Sequence, residues 1–314
     1  MGVCSPINKQ AIPVFFAADE KYLPFLDVSL LSLKDKASKD RLYKIHVLAS
    51  DVEAKSQERI KRLQADNFII EFVDVSKHLE KVSKYFKLRD YYTGAIYYRL
   101  FICSLFPQYD KALYMDCDTI VMEDVANLYD TDLGDNYIGA VADSAVAQVK
   151  EFQTYTKSAL NIDGDKYFNS GVVLLNLKQF REIVFCERFY DVLQSYDFVV
   201  APDQDVLNII CKGKVLFLDE AWNRMPIHGN YGAPPKIIHY NLTMKPWHYD
   251  DVLYAEHFWE FAKRSEYYEK ILDHKAGFTR EMADKDSEGA KALIALCIHE
   301  AEKEDNYYRL YGEK

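Results

Sequence analysis

The sequence lacks the usual features of membrane proteins and of nucleic-acid binders. No apolar run reaches the length of a membrane span, and residues 1–10 lack the charged and apolar regions of a signal peptide. Acidic residues outnumber basic residues by 49 to 39, so the formal net charge of −10 leaves no basic excess for a nucleic-acid backbone. The sequence therefore predicts a cytoplasmic protein without a transmembrane segment and without a nucleic-acid partner.

Glycine-rich phosphate loops and cysteine pairs are also missing. Neither a G-x-G-x-x-G motif nor a Walker loop occurs, so a nucleotide here is not held in either of those ways. The six cysteines include no C-x-x-C pair. Their scatter predicts reduced thiols, with no disulfide framework and no zinc site, at Cys4, Cys103, Cys117, Cys186, Cys211 and Cys297.

The order of apolar patterns predicts an α/β fold. Hydrophobic residues make up 49% of the 314-residue chain, which is enough for a large core. Residues 12–18, 44–49 and 68–73 have strand patterns, and helical patterns lie between them. This strand–helix–strand order predicts a mostly parallel central sheet flanked by helices. Ligands of such sheets bind beyond the carboxyl ends of the strands.

Further elements are expected along the rest of the chain. Strands are predicted at residues 112–115, 119–122, 137–142, 172–175, 214–218 and 236–240, and helices at residues 94–106, 181–196, 251–272 and 287–308, with one more beginning at Pro202.

A catalytic domain is expected over residues 1–249 and a helical extension over residues 250–314. The extension is rich in aromatic residues and in Glu and Asp. Peripheral contact with the inner face of the cell membrane and a homodimer formed through residues 254–268 both stay open for it.

Two aspartates, Asp116 and Asp118, follow an apolar strand and flank Cys117. A strand that leaves a buried core and presents two carboxylates must pair those charges, because an unpaired buried carboxylate is very costly. A divalent cation is the usual partner, with a bound phosphate completing its shell. The alternative is a polar strand end whose two side chains cap the next turn.

Other polar residues are expected at strand ends along the same edge of the sheet. They are Asp19, Asp143, Asn169, Asp203, Gln204, His239 and Lys245. Carboxylates with one imidazole suit Mn²⁺ or Mg²⁺, and the nitrogen ligand favours Mn²⁺. Two readings without a ligand stay open: Arg99 as a solvated helix arginine and Asp203 as a helix N-cap.

Six short segments together resemble glycosyltransferase family 8, of the bacterial lipopolysaccharide galactosyltransferase and glucosyltransferase type, with glycogenin as a more distant relative. They are Phe16-Ala-Ala-Asp19 with Tyr22, Tyr98-Arg-Leu100, Tyr114-Met-Asp-Cys-Asp118, Asn169-Ser-Gly171, Pro202-Asp-Gln-Asp205, and His239 followed by Lys245-Pro-Trp247. They occur in the family's order from about residue 11 to 248. The resemblance implies a GT-A fold, a UDP-glucose or UDP-galactose donor, a divalent metal, retention of anomeric configuration and a saccharide or glycolipid acceptor.

The resemblance also implies a role for each matching residue. It makes Asp116, Asp118 and His239 the Mn²⁺ ligands. Ala17, Asp19 and Tyr22 would hold the uridine, the backbone of Cys117 would contact the ribose, and Lys245 would hold the diphosphate. Arg99, Asp143, Asn169 and Asp203 would hydrogen-bond the donor sugar, and Gln204 would lie beneath its anomeric carbon. Retention would come from front-face attack by the acceptor or from a covalent adduct, for which Asp203 is a better nucleophile than Gln204.

Two departures from the family pattern concern the nucleotide end. Leu242 stands at the usual glycine of H-x-x-G-x-x-K-P-W, and Lys21 replaces a small polar residue. A metal-dependent nucleotidyltransferase or sugar-nucleotide hydrolase, and a non-catalytic UDP-sugar binding protein, remain as alternatives. The first would normally need a basic loop near the first strand, which residues 16–22 do not supply.

Overall fold

A mixed sheet lies at the centre of the computed structural model, which describes residues 8–79, 94–229 and 231–312. Within these ranges, seven strands pair in the order β3-β2-β1-β4-β7-β6-β8. They are β1 (Asn8–Ala17), β2 (Arg41–Ala49), β3 (Phe68–Asp74), β4 (Lys111–Met115), β6 (Ile138–Ala142), β7 (Phe168–Asn176) and β8 (Val215–Phe217). A separate small sheet pairs β5 (Thr119–Val121) with β9 (Ile237–His239).

The direction of β7 differs from that of its neighbours. It runs antiparallel to both β4 and β6, whereas the other pairs of the large sheet are parallel. The sheet is therefore mostly parallel, as expected. Because β7 is reversed, its first residues, not its last, meet the carboxyl end of β4. That places Asn169 and Gly171 beside Asp116, whose N–H donates to the Gly171 carbonyl at 2.7 Å.

Helices cover both faces of the sheet. In the described part of the chain they are α1 (Leu23–Lys36), α2 (Ala54–Lys61), α3 (Ser76–Leu79), α4 (Ile102–Leu105), α5 (Val125–Tyr129), α6 (Ser144–Gln148), α7 (Lys150–Leu160), α8 (Leu177–Glu182), α9 (Phe185–Ser195), α10 (Pro202–Cys211), α11 (Ala255–Ala262), α12 (Tyr268–Ala276), α13 (Arg280–Glu302) and α14 (Tyr307–Tyr311). Successive β1 residues alternate between two cores, since Val14 and Phe16 pack on one face and Phe15 packs on the other.

Several helical segments differ from the sequence-based expectation. Residues 94–106 form a 3₁₀-helix, Gly94–Phe101, followed by the short α4. The expected helix over residues 181–196 is interrupted at Val184, whose positive φ of 48° ends α8 and precedes α9. The helix expected over residues 251–272 is two helices, α11 and α12, and the last long helix begins at Arg280, seven residues earlier than expected. Helices α6 and α7 were not predicted.

Neither membrane spans nor disulfides occur in the described ranges. No helix there is both long enough and apolar enough to cross a bilayer. Cys103, Cys117, Cys186, Cys211 and Cys297 form no disulfide, and Cys4 lies outside the described residues. The sulfurs of Cys103 and Cys186 are 3.3 Å apart, a hydrogen-bonded thiol pair in the core.

Candidate functional site

Asp116, Asp118 and His239 meet where β4 ends and β5 begins. The pairing of β5 with β9 sets Thr119 opposite His239, and this brings the imidazole to the two carboxylates. Nε2 of His239 lies 3.3 Å from Oδ1 of Asp118 and 3.7 Å from Oδ2 of Asp116. One ligand atom from each of the three residues lies within 4.8 Å of the others. The structure thus brings together the three residues that the family resemblance implies as ligands, although His239 is far from the two aspartates in sequence.

A chain of amide groups fixes which nitrogen of His239 carries the proton. The N–H of Gly171 donates to Oδ1 of Asn169 at 2.9 Å, and a backbone N–H can only donate. Asn223 donates through Nδ2 to the same oxygen, at 2.9 Å. Its own Oδ1 therefore faces Nδ1 of His239, also at 2.9 Å, and must accept a proton from it. In the neutral imidazole, the lone pair of Nε2 then points at the carboxylates.

This arrangement fits a divalent cation. The lone pair of Nε2 faces two carboxylate oxygens, which repel it unless a positive charge lies between them. Oδ1 of Asp118 is buried and has no hydrogen-bond partner among the described residues. Although burial acts to raise the pKa of Asp118, the ammonium group of Lys245 holds it below its usual range, so the carboxylate is charged. Two carboxylates and one imidazole are a donor set suited to Mn²⁺ or Mg²⁺.

Lys245 supplies a positive charge on the other side of Asp118. It is 3% exposed, and its Nζ donates to Oδ2 of Asp118 and to the carbonyl of Tyr240. Trp247 lies two residues on and stacks on Phe25 with ring centroids 3.8 Å apart. This packing holds the loop and so places Lys245 beside the carboxylate.

Arg99 is a buried arginine, so its reading as a solvated helix residue is wrong. It is 7% exposed, donates through Nη2 to Oδ1 of Asp116 at 3.0 Å and lies over the ring of Tyr114 at 4.2 Å. Nη1 donates to the carbonyl of Ser170. Tyr114 donates to the same Asp116 oxygen at 2.8 Å. These contacts orient Asp116 and leave its Oδ2 directed to His239.

Asp203 also departs from one sequence-based reading. The N-cap of α10 is Ala201, without a side-chain cap, so Asp203 is not the N-cap. The Asp203 carboxylate is 5% exposed and lies 3.6 Å from Nε of Arg99. Burial raises the pKa of Asp203 to about 6, with Arg99 opposing the rise. A pair of this kind places a titratable carboxylate beside a permanent cation.

Asp143, Asn169 and Gln204 form one hydrogen-bonded group. Oδ2 of Asp143 accepts from Nδ2 of Asn169 at 3.0 Å and from Nε2 of Gln204 at 3.2 Å. Oε1 of Gln204 accepts from the N–H of Ser170 at 2.9 Å. The other oxygen of Asp143 accepts from the N–H groups of Ala145 and Val146, capping α6. The three side chains are therefore held in fixed orientations before any ligand binds.

Ala17, Asp19, Tyr22 and Cys117 lie at the carboxyl ends of β1 and β4. The thiol of Cys117 donates to the Ala17 carbonyl at 3.1 Å, which ties the two strand ends together. Oδ1 of Asp19 accepts from the N–H groups of Lys21 and Tyr22, each at 3.0 Å, and so shapes the turn before α1. Tyr22 packs edge-on against Phe25, with centroids 5.6 Å apart.

Leu242 keeps a left-handed backbone. Its φ is +55°, a region that leucine rarely adopts and glycine adopts freely. The structure therefore has, at this residue, the conformation that the glycine of the family pattern favours.

All thirteen residues singled out from the sequence line one cavity of about 690 Å³. The sequence reasoning did not assign Tyr114, Ser170, Gly171 or Asn223, which hold the site together. Glycine is required at position 171 for steric reasons, because a Cβ there would lie 2.1 Å from Cε1 of His239. Asn223 has no local motif that could have identified it.

Comparison with known proteins gives consistent matches. A family model described as glycosyl transferase family 8 matches residues 13–251. The lipopolysaccharide 1,2-glucosyltransferase of Escherichia coli strain K12 is 34% identical over 177 residues, which are 50% of this chain and 50% of that protein.

Two solved structures have the same architecture. Galactosyltransferase LgtC in complex with donor and acceptor sugar analogs is 29% identical, with a TM-score of 0.66 over 81% of this chain and 96% of LgtC. The bifunctional WbbM glycosyltransferase in its apo form is 27% identical, with a TM-score of 0.73 over 87% of this chain and 53% of WbbM. The chain thus spans about half of WbbM and of the Escherichia coli relative. The likeness confirms the predicted GT-A-like fold.

Proposed function

Because the chain belongs to glycosyltransferase family 8, we propose that it is a Mn²⁺-dependent, retaining hexosyltransferase. The donor is UDP-glucose or UDP-galactose, and the acceptor is a saccharide or a glycolipid. The similar proteins include a glucosyltransferase and a galactosyltransferase, so the likeness does not choose between the two donors. The observation that carries the proposal is the buried group of Asp116, Asp118 and His239 with the unpartnered Oδ1 of Asp118.

Asp116, Asp118 and His239 would hold the metal, with Mg²⁺ as a substitute for Mn²⁺. When bound, the ion supplies Lewis-acid stabilisation of the charge that grows on the UDP leaving group. Asn223 and Arg99 act through the ligands, since Asn223 sets the tautomer of His239 and Arg99 orients Asp116. Lys245 adds a fixed positive charge for the diphosphate beside the metal ligands.

The nucleotide would lie over the ends of β1 and β4. Ala17 and Asp19 offer acceptors for the uracil N–H, and Tyr22 offers a ring face. The backbone of Cys117 would contact the ribose, while its thiol stays bound to the Ala17 carbonyl. Burial raises the pKa of this thiol well above its usual value, which leaves it protonated and chemically inert.

The donor sugar would lie against Arg99, Asp143, Asn169, Asp203 and Gln204. The amide oxygen of Gln204 is a poor nucleophile. It already accepts a hydrogen bond from the backbone N–H of Ser170, which lowers its nucleophilicity further. Asp203 is paired with Arg99 and has a pKa of about 6, so at neutral pH it is a charged group suited to holding sugar hydroxyls. We therefore favour front-face attack, in which the acceptor oxygen bonds to the anomeric carbon as the bond to UDP breaks. A donor phosphate oxygen takes the hydroxyl proton.

Calorimetric binding of UDP with and without Mn²⁺ tests the metal. We expect UDP to bind only with the ion, and Asp118→Asn to abolish that binding while the exposed Asp66→Asn leaves it unchanged. UDP affinity that persists in a chelator would remove the metal from the proposal.

A panel of UDP-sugars tested with Mn²⁺ identifies the donor, with UDP release as the measurement. The NMR signal of the product's anomeric proton then shows whether the configuration is retained.

A further inference from the structure

Helix α13 forms one wall of the cavity that contains the candidate site. Asp286, Ala290, Leu293 and Cys297 recur every three or four residues and line the cavity from one face of the helix. Helix α13 also packs along α7. Residues 280–302 lie outside the stretch matched by the family model. This wall is therefore a property of the present chain that the family match does not cover.

Contacts near both ends hold α13 in place. Near its beginning, the hydroxyl of Tyr249 donates to Oδ2 of Asp286 at 2.8 Å. Near its end, the buried carboxylate of Glu300 accepts from the hydroxyl of Tyr196. Asn306, just after the helix, donates to the carbonyl of Ser158 on α7 at 3.2 Å. The helix is thus a fixed wall of the cavity.

The walls that face each other in this part of the cavity are mainly apolar, and the charged lining residues of α13, Lys285 and Asp286, lie near its beginning. Val146, Val149 and Phe152 line it from α6, α7 and their junction, and Ala290, Leu293 and Ile294 line it from α13. Asp143 joins this part to the donor site, because one of its oxygens binds Asn169 and Gln204 while the other caps α6. The apolar walls therefore begin where the group that would hold the donor sugar ends.

A UDP-hexose does not match these walls. Its diphosphate and sugar hydroxyls need the polar groups around Asp116, Arg99 and Asp143, and its base would lie at Tyr22. Apolar cavity surface gains free energy when it is covered by apolar groups. The acceptor must bring a hydroxyl to the sugar end of the donor, so its remaining atoms extend along the apolar walls.

We propose that the space between α6–α7 and α13 binds an apolar group of the acceptor. The acceptor is then a glycoside with an apolar aglycone, not a wholly polar saccharide. This inference rests on the proposed function and specifies its substrate class.

Paired glycosides test the aglycone directly. Methyl and hexyl β-glycosides of glucose, galactose and N-acetylglucosamine would be titrated calorimetrically into protein loaded with Mn²⁺ and UDP. Each buried methylene is worth about a fourfold gain in affinity. We expect the hexyl glycoside of at least one sugar to bind at least about tenfold more tightly than its methyl counterpart.

Two isoleucines of α13 provide a matched pair of variants. Ile294 lines the cavity, whereas Ile298, one turn further on, is 41% exposed and does not line it. We expect Ile294→Gln to reduce the hexyl preference by at least about threefold, and Ile298→Gln to leave it unchanged. If Ile294→Gln does not fold, the near-isosteric Val149→Thr on the opposite wall takes its place.

The outcomes separate this inference from the proposed function. Normal Mn²⁺-dependent UDP binding without a hexyl preference, or with a preference that survives Ile294→Gln and Val149→Thr, overturns the apolar subsite alone. Failure to bind UDP with Mn²⁺ overturns both. A hexyl preference that Ile294→Gln reduces and Ile298→Gln preserves supports the subsite.

Discussion

The imidazole of His239 donates its Nδ1 proton to Oδ1 of Asn223 across 2.9 Å. Both side chains are buried, with exposures of 2% and 1%. The Asn223 amide cannot turn around, because its Nδ2 donates to an Asn169 oxygen that a backbone N–H already fixes. The tautomer of His239 is therefore set by a chain of hydrogen bonds that begins at the backbone N–H of Gly171.

Removal of the Asn223 amide should weaken metal binding. Without its acceptor, His239 can rotate or take the other tautomer, and loss of such outer partners typically costs about 10- to 100-fold in metal affinity. We expect Asn223→Ala to raise the Kd for Mn²⁺ by that factor, measured by electron paramagnetic resonance of the free ion. The exposed Asn127→Ala serves as the control, and an unchanged Kd in Asn223→Ala would show that the tautomer does not matter.

A methyl group at Gly171 should displace two of the proposed metal ligands at once. The added Cβ would lie 2.1 Å from Cε1 of His239 and 2.7 Å from Oδ2 of Asp116. Both contacts are closer than van der Waals packing allows, so the side chains of His239 and Asp116 must move away from the new methyl group. We expect Gly171→Ala to raise the Kd for UDP in the presence of Mn²⁺ by more than about tenfold.

Gly232 offers the matched control for that substitution. A Cβ at Gly232 would meet nothing within 4 Å, so Gly232→Ala should leave UDP binding unchanged. Comparable losses in the two variants, or none in Gly171→Ala, would contradict the close approach at Gly171.

Local sequence patterns were sufficient to place Asp116, Asp118 and His239 at one edge of the sheet. Asp116 and Asp118 follow an apolar strand, and paired charges at such a place need a partner. His239 ends another apolar strand, so the edge of the sheet could be predicted as the common location. The shared location depends only on strand periodicity and on the position of polar residues at strand ends. The choice of these three as a ligand set came from the resemblance to glycosyltransferase family 8.

Long-range pairing explains what the sequence did not reveal. Asn223 reaches His239 because the N–H of His239 donates to the carbonyl of Arg224 at 2.9 Å, which brings the 3₁₀-helix Glu220–Asn223 beside β9. The reversed direction of β7 also depends on long-range pairing, because an apolar run has the same pattern whichever way the strand runs. The connection from β6 to β7 did not reveal the direction either, since its helices α6 and α7 were not predicted. The wall formed by α13 likewise depends on packing between residues more than 100 positions apart.

Asp27 should make stability depend on pH. Burial raises the pKa of Asp27 to about 6, and the hydrogen bond from Ser265 at 2.6 Å opposes the rise. The unfolded value is about 3.9, so between about pH 4 and pH 6 the folded protein keeps a proton that the unfolded chain has released. Stability therefore falls as pH rises through this window and levels off above it. The loss is at most about 3 kcal/mol.

Asp27→Asn should abolish this part of the pH dependence. Burial also raises the pKa of other carboxylates, such as those of Asp203 and Asp205. These groups titrate in both the variant and the wild type, so their effects on Tm cancel when the two proteins are compared. We expect the Tm of the variant minus that of the wild type to rise from pH 4 to pH 6, measured by calorimetry. The exposed Asp273→Asn should show a flat difference, and a flat difference for Asp27→Asn would mean that its carboxylate is charged when folded.

Gln204 should matter more for transfer than for nucleotide binding. Its amide is fixed between the N–H of Ser170 and Oδ2 of Asp143, next to the residues that would hold the donor sugar. A dipole oriented in advance at the reacting centre acts mainly in the transition state, and loss of one such group typically costs about 10²-fold or more in kcat.

We expect Gln204→Ala to lower kcat by a factor on the order of 10², while the Kd for UDP changes less than about threefold. The exposed Gln108→Ala controls for loss of an amide elsewhere. Equal losses in kcat and in UDP affinity would make Gln204 a binding residue only. A variant with full kcat would place the anomeric carbon away from Gln204, and Asp203 would then become the first residue to test for a covalent adduct by trapping and mass spectrometry.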